Sequence, residues 1–342
     1  MVDRLEAECP SGREDRDSVL KRGRLAVNRD KPDRWKKDIA ESVDFFNKWF
    51  IAFAPKAYRD TRIVTTQQVE LAMGWTANLT KITADVLREH SSILQILRMA
   101  TCPPIARDRL IGLSGTSKTL VGHMERKNVV PPKMNAPTFE REAQKIIATL
   151  QRLIDPDIFV WLGRKERADA VEVHRAATIV ADRLCGAVSD PIVRNAQEAR
   201  QLSLIAKWLV KRGYVQAAKG VKFRAMPPGT YAFRSNVPIK IENVVRPINI
   251  PIDVVVMPKT GRKTDLPLFI EAKSAGDFTN VNKRRKEEAT KMAQLRKNYG
   301  NNVRFILFLC GYFDSGYLGY EAAEGIDWVW EHRMDDLGEF GL

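Results

Sequence analysis

With 342 residues the chain has room for two domains and a sizeable core, and its 56 Lys and Arg outnumber its 42 Asp and Glu to give a net charge of +14 at pH 7. Such an excess favours a polyanionic partner, nucleic acid ahead of an acidic membrane surface. The sequence holds no apolar run of roughly eighteen residues, and MVDRLEAECPSGREDRDSVLKRGRL at its start has no signal-peptide apolar segment, so a soluble, cytoplasmic protein without membrane attachment is expected.

Residues 1–32 are charge-dense with few large apolar side chains and are expected to form a flexible arm. A helix is predicted from Asp33, where Trp35, Ile39, Val43, Phe46, Phe50 and Phe53 recur at helical spacing up to Pro55. That stripe suits a core or a dimer interface better than a base-stacking platform. Helical patterns at Gln67–Met73, Leu79–His90, Ile93–Met99, Phe139–Leu153 and Arg167–Cys185 complete a mostly helical domain over residues 33–188. Inside it, GLSGTSKT at residues 112–119 falls one residue short of a phosphate-binding loop, because Ser117 stands where the last glycine is needed and no buried strand precedes it. Nucleotide binding is excluded on that ground. Residues 105–124 fit either an ordinary helical hairpin or a DNA-binding helix-turn-helix. In the latter Arg107–Leu113 is the first helix, Ser114-Gly115 the turn, and Thr116–Met124 a recognition helix exposing Ser117, Lys118 and His123.

Residues 189–342 carry the β content. A helix within Asp190–Gly213, with Leu202, Ile205, Leu209 and Val210 buried, precedes two apolar runs, Ile252–Met257 and Leu266–Ala272. Pro258, Lys259, Thr260, Gly261, Arg262 and Lys263 between them have turn chemistry, so a β-hairpin is expected. Symmetry about Arg262 sets Asp253 opposite Glu271, with Cβ atoms roughly 4.5–5.5 Å apart. Like charges there need a cation. Side-chain alternation puts Lys273 on the same face as Glu271 whichever register holds. Hard carboxylate oxygens suit Mg²⁺, and the ammonium beside them suits a phosphodiester-cutting site in which Lys273 helps position the attacking water or stabilises the transition state. A helix from Asn280 or Asn282 to about Tyr299 follows, with Met292, Leu295 and Tyr299 inward and Lys283, Arg284, Arg285 and Lys286 crowding its first turn. The run VRFILFLC from Val303 to Cys310 reads as a central strand buried on both faces and joined by a right-handed parallel crossover.

A Glu-x-Lys triplet alone is usually a solvated face, and Glu125-Arg126-Lys127 is a second copy in a polar, helix-like segment. Only the Glu271 copy follows a strongly apolar run with an acid on an upstream strand. The Lys283–Lys286 cluster opposes the helix dipole at a cost of a few tenths of a kcal/mol, which a DNA backbone would offset. Asp277, Thr279 and Asn280 in the preceding loop suit placing either that backbone or the helix. Cys9, Cys102, Cys185 and Cys310 contain no C-x-x-C pair, and His90, His123, His174 and His332 lack ligand spacing, so a zinc site and a disulfide framework are both disfavoured.

The order helix, mixed hairpin, helix, strand resembles the PD-(D/E)XK nuclease core, with Asp253 as first acid, Glu271-Ala272-Lys273 as second motif, and Ile252 where the name has proline. More narrowly, EAKSAGDFTNVNKRRKEEATK from Glu271 and GYFDSGYLGYEAAEGIDWVWEHRMDDL from Gly311 are similar to the XamI group of type II restriction endonucleases. The resemblance implies an α+β or α/β fold in which a mixed sheet flanked by helices forms a nuclease domain over residues 189–342. It implies Mg²⁺-dependent double-strand cleavage of a short palindromic DNA site by a homodimer, with GTCGAC as the specificity of similar enzymes and a DNA methyltransferase as functional partner. A further acid on the helix before the hairpin is implied as a metal ligand, matched by Glu198 or by Glu242. Asn280, Lys283, Arg284, Arg285, Ser117 and Lys118 are the candidate DNA contacts. A structure-specific repair or junction nuclease on the same core, and a non-catalytic helix-turn-helix regulator, stay open at this point.

Overall fold

The computed structural model describes residues 26–241, 246–262, 264–279 and 281–342, with the side chains of 281–285 left outside. Contacts divide the chain into two units, one of residues up to Phe50 together with Ala196–Leu342, the other Ile51–Asn195. Helices α1 (Pro32–Trp75) and α7 (Ala170–Lys211) each run through a division point. The first part of α1 thus belongs with the sheet, not with the helical half to which the sequence pattern assigned it.

The helical unit adds α2 (Ala84–Glu89), α3 (Ile93–Met99), α4 (Arg107–Ser114), α5 (Lys118–Lys127) and α6 (Ala136–Gln151) around a core that includes Leu94, Leu97, Leu110, Leu120, Phe139 and Leu150. Thr83, Ser117 and Asn135 cap α2, α5 and α6 by accepting from the N–H of Val86, Leu120 and Thr138, each satisfying a donor the helix leaves free. Two expected helix boundaries are corrected. Pro55 lies inside α1 and Pro191 inside α7, so the helices expected at Arg167–Cys185 and within Asp190–Gly213 are one. Interior proline costs about 3 kcal/mol. The helical period nonetheless continues across each: Phe46, Ala54, Thr61, Thr65 and Val69 are buried along α1, and Ala181, Leu184, Leu202, Ile205 and Leu209 along α7. Val210, expected inside, is exposed.

The sheet unit contains β1 (Val215–Gln216), β2 (Thr230–Ile239), β3 (Ile248–Met257), β4 (Leu268–Ala275), α8 (Val281–Tyr299), β5 (Arg304–Gly311), α9 (Ser315–Ala323) and β6 (Asp327–Trp330). The six strands lie in chain order, with β2, β3 and β4 antiparallel and β4, β5 and β6 parallel. This is the expected α+β mixed sheet, and the parallel crossover through α8 is in place. Strands β2 and β6 were not foreseen. Along β5, Phe305, Leu307 and Leu309 face the core shared with Met292 and Leu295 of α8, while Ile306 and Phe308 face Ile205 and Leu209 of α7. Each such fully buried side chain contributes roughly 1.5–3 kcal/mol.

The flexible arm expected through residue 32 is corrected over its last part. Val27 and Asn28 are buried, and Asp327 Oδ1 and Oδ2 accept the backbone N–H groups of Val27, Asn28 and Arg29 at 2.5–3.1 Å. A carboxylate gathering three consecutive donors is a strong anchor. Residues 1–25 lie outside the described residues. Among the described residues no helix is long and apolar enough to cross a membrane.

Candidate active site

The hairpin register is the one that symmetry about Arg262 predicts: Val254 pairs with Ile270, Val255 with Phe269 and Val256 with Leu268. One step further along the ladder stand Asp253 and Glu271, and there the strands part. The N-terminal half of β3 continues against β2 and the C-terminal half of β4 continues against β5. At this fork the Ala272 N–H donates to Asp253 Oδ2 at 2.9 Å, so the carboxylate takes the place of a lost main-chain partner. The split coincides with a change of facing on β2 and β3. Val255 and Met257 share a core cluster with Ile250 and Ile252, although odd and even positions of one regular strand face opposite ways. On β2 the break falls at Arg234, a non-glycine at φ 48° in register with Asp253.

Glu271 and Lys273 project together from β4, as alternation requires. Lys273 Nζ lies 3.3 Å from Glu271 Oε1 and 3.0 Å from Glu288 Oε1, while Lys291 Nζ lies 2.8 Å from Glu271 Oε1. Glu271 Oε2 is buried with no hydrogen-bond partner among the described residues. Burial, and then the neighbouring Glu271, push the pKa of Asp253 up to about 6 against the pull of the Ala272 N–H, Lys273 and Lys291. Burial also works against the Lys273 ammonium, but Glu271 and Glu288 together hold its pKa above the ordinary lysine value. Burial raises the pKa of Glu288, with Lys273 opposing. From the other face of the sheet, Gln201 on α7 donates to the carbonyls of Lys273 at 3.3 Å and Phe308 at 3.4 Å, tying the end of β4 to β5.

Two of these residues escaped the sequence reading, Glu288 and Lys291, because the run KRRKEEATK looks like a solvated charge cluster. The signal was periodicity: Glu288, Met292, Leu295 and Tyr299 fall on one helical stripe, so a carboxylate sits where the pattern demands burial.

Glu198, expected as the further acid, pairs through its Oε1 with Arg234 at 2.9 Å. Glu242 and Asn280 lie outside the described residues, as do the side chains of Lys283, Arg284 and Arg285 at the start of α8. In the helical unit, α4 and α5 are joined through Gly115 at φ 61°, so the chain there is a helix, a short turn and a helix. Lys118 is exposed as expected. Ser117 is half-buried, because its side chain is spent on the α5 cap and its N–H donates to Glu142 at 3.0 Å. His123 is half-buried rather than exposed, since it follows Gly122 and Val121 on the packed side of α5.

Asp38, Glu41 and His332 form a separate group whose potential ligand atoms all lie within 4.8 Å of one another. Arg333 Nη1 contacts both Asp38 oxygens at 2.9 and 3.2 Å, so that carboxylate already has a cation.

The sequence matches the XamI restriction endonuclease family over residues 77–330. It is 54% identical over 317 residues to "Type II restriction enzyme SalI" of Streptomyces albus G, spanning 92% of this chain and 99% of the relative. No solved structure matches. Because the match to the family runs from the helical unit through the fork to β6, one conclusion accounts for the sheet and for its paired acids: the chain belongs to the XamI restriction endonuclease family.

Proposed function

We propose that this type II restriction enzyme cuts both strands of double-stranded DNA at a short palindromic site, at a centre made by Asp253, Glu271 and Lys273 and dependent on Mg²⁺. The observation that carries the reading is Glu271 Oε2, a buried carboxylate oxygen with no hydrogen-bond partner among the described residues, beside a second acid, Asp253. Such an oxygen is costly unless a cation meets it, and two hard anionic ligands fit Mg²⁺. Asp253 and Glu271 would hold the ion, which when bound supplies Lewis-acid stabilisation of the scissile phosphate. Lys273, kept charged by its two carboxylate neighbours, presents an ammonium where negative charge develops during phosphodiester cleavage. Glu198 is the third acid of the proposal, held one ion pair away through Arg234, which is in register with Asp253.

The net charge of +14 suits a duplex backbone, with Lys118 on α5 and Asn280, Lys283, Arg284 and Arg285 at the start of α8 as proposed contacts, and Ser117 restricted to its backbone surroundings. A palindrome is matched by a two-fold symmetric protein, so a homodimer is proposed. Host protection then calls for a DNA methyltransferase as functional partner, and the protein acts in the bacterial cytoplasm. The test is digestion of plasmids with and without Mg²⁺, using GTCGAC as the first site to try because the family resemblance points to it. Discrete fragments that require Mg²⁺ and the site are expected. Cutting confined to branched or damaged DNA, or intact DNA with retained binding, would refute the reading.

A further inference from the structure

Glu288 and Lys291, outside the Asp, Glu and Lys motif, stand one turn apart on α8 and face β4. The charges form an unbroken row: Lys291 Nζ, Glu271 Oε1 at 2.8 Å, Lys273 Nζ at 3.3 Å, Glu288 Oε1 at 3.0 Å. Glu288 is 1% exposed, and among the described residues neither of its oxygens receives an aligned hydrogen bond, so its contact with Lys273 is a pairing of charges. A buried carboxylate with so little hydrogen bonding is costly unless an electrostatic role compensates. Lys291 also donates to the Pro251 carbonyl at 3.1 Å, which anchors it against β3.

The row assigns different duties to the two oxygens of Glu271. Both ammoniums crowd Oε1 and leave Oε2 bare. Without Glu288, Asp253 and Glu271 would have to neutralise two lysines and serve a divalent cation as well. With it, Asp253, Glu271 and Glu288 give three negative charges against the two of Lys273 and Lys291. A divalent ion then leaves the pocket with one positive charge in excess, which matches the single negative charge of a phosphodiester.

We propose that Glu288 and Lys291 are positioning residues of the cutting site. Glu288 holds the Lys273 ammonium off Glu271 and supplies the negative charge that lets two ammoniums and a divalent cation share one pocket, while Lys291 fixes Oε1 so that Oε2 is the oxygen offered to the cation. The inference rests on the reading of Asp253 and Glu271 as metal ligands. It demands opposite effects from two neighbouring neutral substitutions, which a purely structural role does not.

The experiment measures Mn²⁺ binding to DNA-free protein from the loss of the free-ion electron paramagnetic resonance signal, with thermal melting as a check on folding, for wild type, E288Q, K291Q, E288Q/K291Q and D253N. Expected are an affinity about tenfold weaker for E288Q, a tighter one for K291Q, and a value near wild type for the charge-balanced double variant, since one elementary charge a few ångströms away is worth at least a factor of ten at an effective dielectric of about 20. The Mg²⁺ concentration needed for half-maximal cutting should move the same way in E288Q. If E288Q does not fold, the K291Q shift decides alone. Unchanged affinity in E288Q and K291Q, or a double variant weaker than E288Q, overturns the inference. D253N separates the two levels: unaltered metal binding and cutting in D253N would sink the metal-centre reading itself, whereas loss in D253N with no shift in E288Q or K291Q sinks only the positioning roles.

Discussion

Glu125 and Glu271 each stand two residues before a lysine, yet only Glu271 keeps a buried oxygen without a hydrogen-bond partner among the described residues. Glu125 lies on helix α5, where positions two apart point roughly 200° away from each other, so Lys127 is exposed while Glu125 turns inward. Its carboxylate is taken by Arg98 through two bonds of 2.5 and 2.9 Å, and both side chains are more than nine-tenths buried. Glu271 lies on strand β4, where positions two apart share a face, so Lys273 stands beside it and one oxygen stays unclaimed. The same triplet is a clamp on a helix and, in the function proposed above, part of a ligand set on a strand. What separates them is secondary structure and the count of neighbouring cations, not the spelling.

The comparison can be broken at several points. The largest effect is expected from D253N, E271Q or K273M, each lowering single-turnover cleavage by about a thousandfold or more, with K273M retaining DNA binding in Ca²⁺. A K127M variant cutting as poorly as K273M would erase the distinction. Next, E125Q should leave the metal requirement alone but cost about 3 kcal/mol in denaturant unfolding, because it strands a buried guanidinium. Loss of cutting in E125Q without loss of stability would contradict the clamp.

A tenfold effect is expected from pH. Asp253 has its pKa raised to about 6, so below that value proton competition should reduce cutting roughly tenfold per pH unit at subsaturating Mg²⁺, and raising Mg²⁺ should move the limb to lower pH. The stability sign is the reverse. A carboxyl whose pKa is higher folded than unfolded stabilises the metal-free protein most at pH below the ordinary aspartate range, and that contribution is lost as pH rises through about 6. A flat cleavage profile between pH 5 and 7 would remove Asp253 from the ligand set. The smallest effect belongs to K118A, expected to weaken DNA binding a few-fold for all sequences and to reduce the salt slope by about one; an unchanged slope excludes a phosphate contact.

The constellation of Asp253, Glu271 and Lys273 was legible because strands impose a two-residue period and the loop allowed a symmetric register, so the assembled site needed only local rules. Glu198 and the Glu288–Lys291 pair were harder, since α7 and α8 reach the fork from outside the hairpin and their side chains are sorted by tertiary packing. Glu198 carried no signal to say that Arg234 would claim it. Glu288 did, through the apolar stripe it extends. The long helices misled for a related reason: Pro55 and Pro191 are local stop signals, and the continuous buried faces of α1 and α7 override them. Strand β2 hid behind Arg234, Asn236 and Pro238, whose polarity and ring disguise a strand that runs beside β3 through nearly its whole length.

The hydrogen bond from the Ala272 N–H to Asp253 entangles architecture with chemistry in a single carboxylate. Replacing Asp253 with alanine would delete an acid and, in the same stroke, orphan a backbone donor at the crotch of the two strands, so a dead alanine variant would say little about catalysis. Asparagine keeps an oxygen for that amide and discards only the charge. The choice of one substitution over the other decides whether an inactive enzyme reports on cleavage or on a loosened sheet.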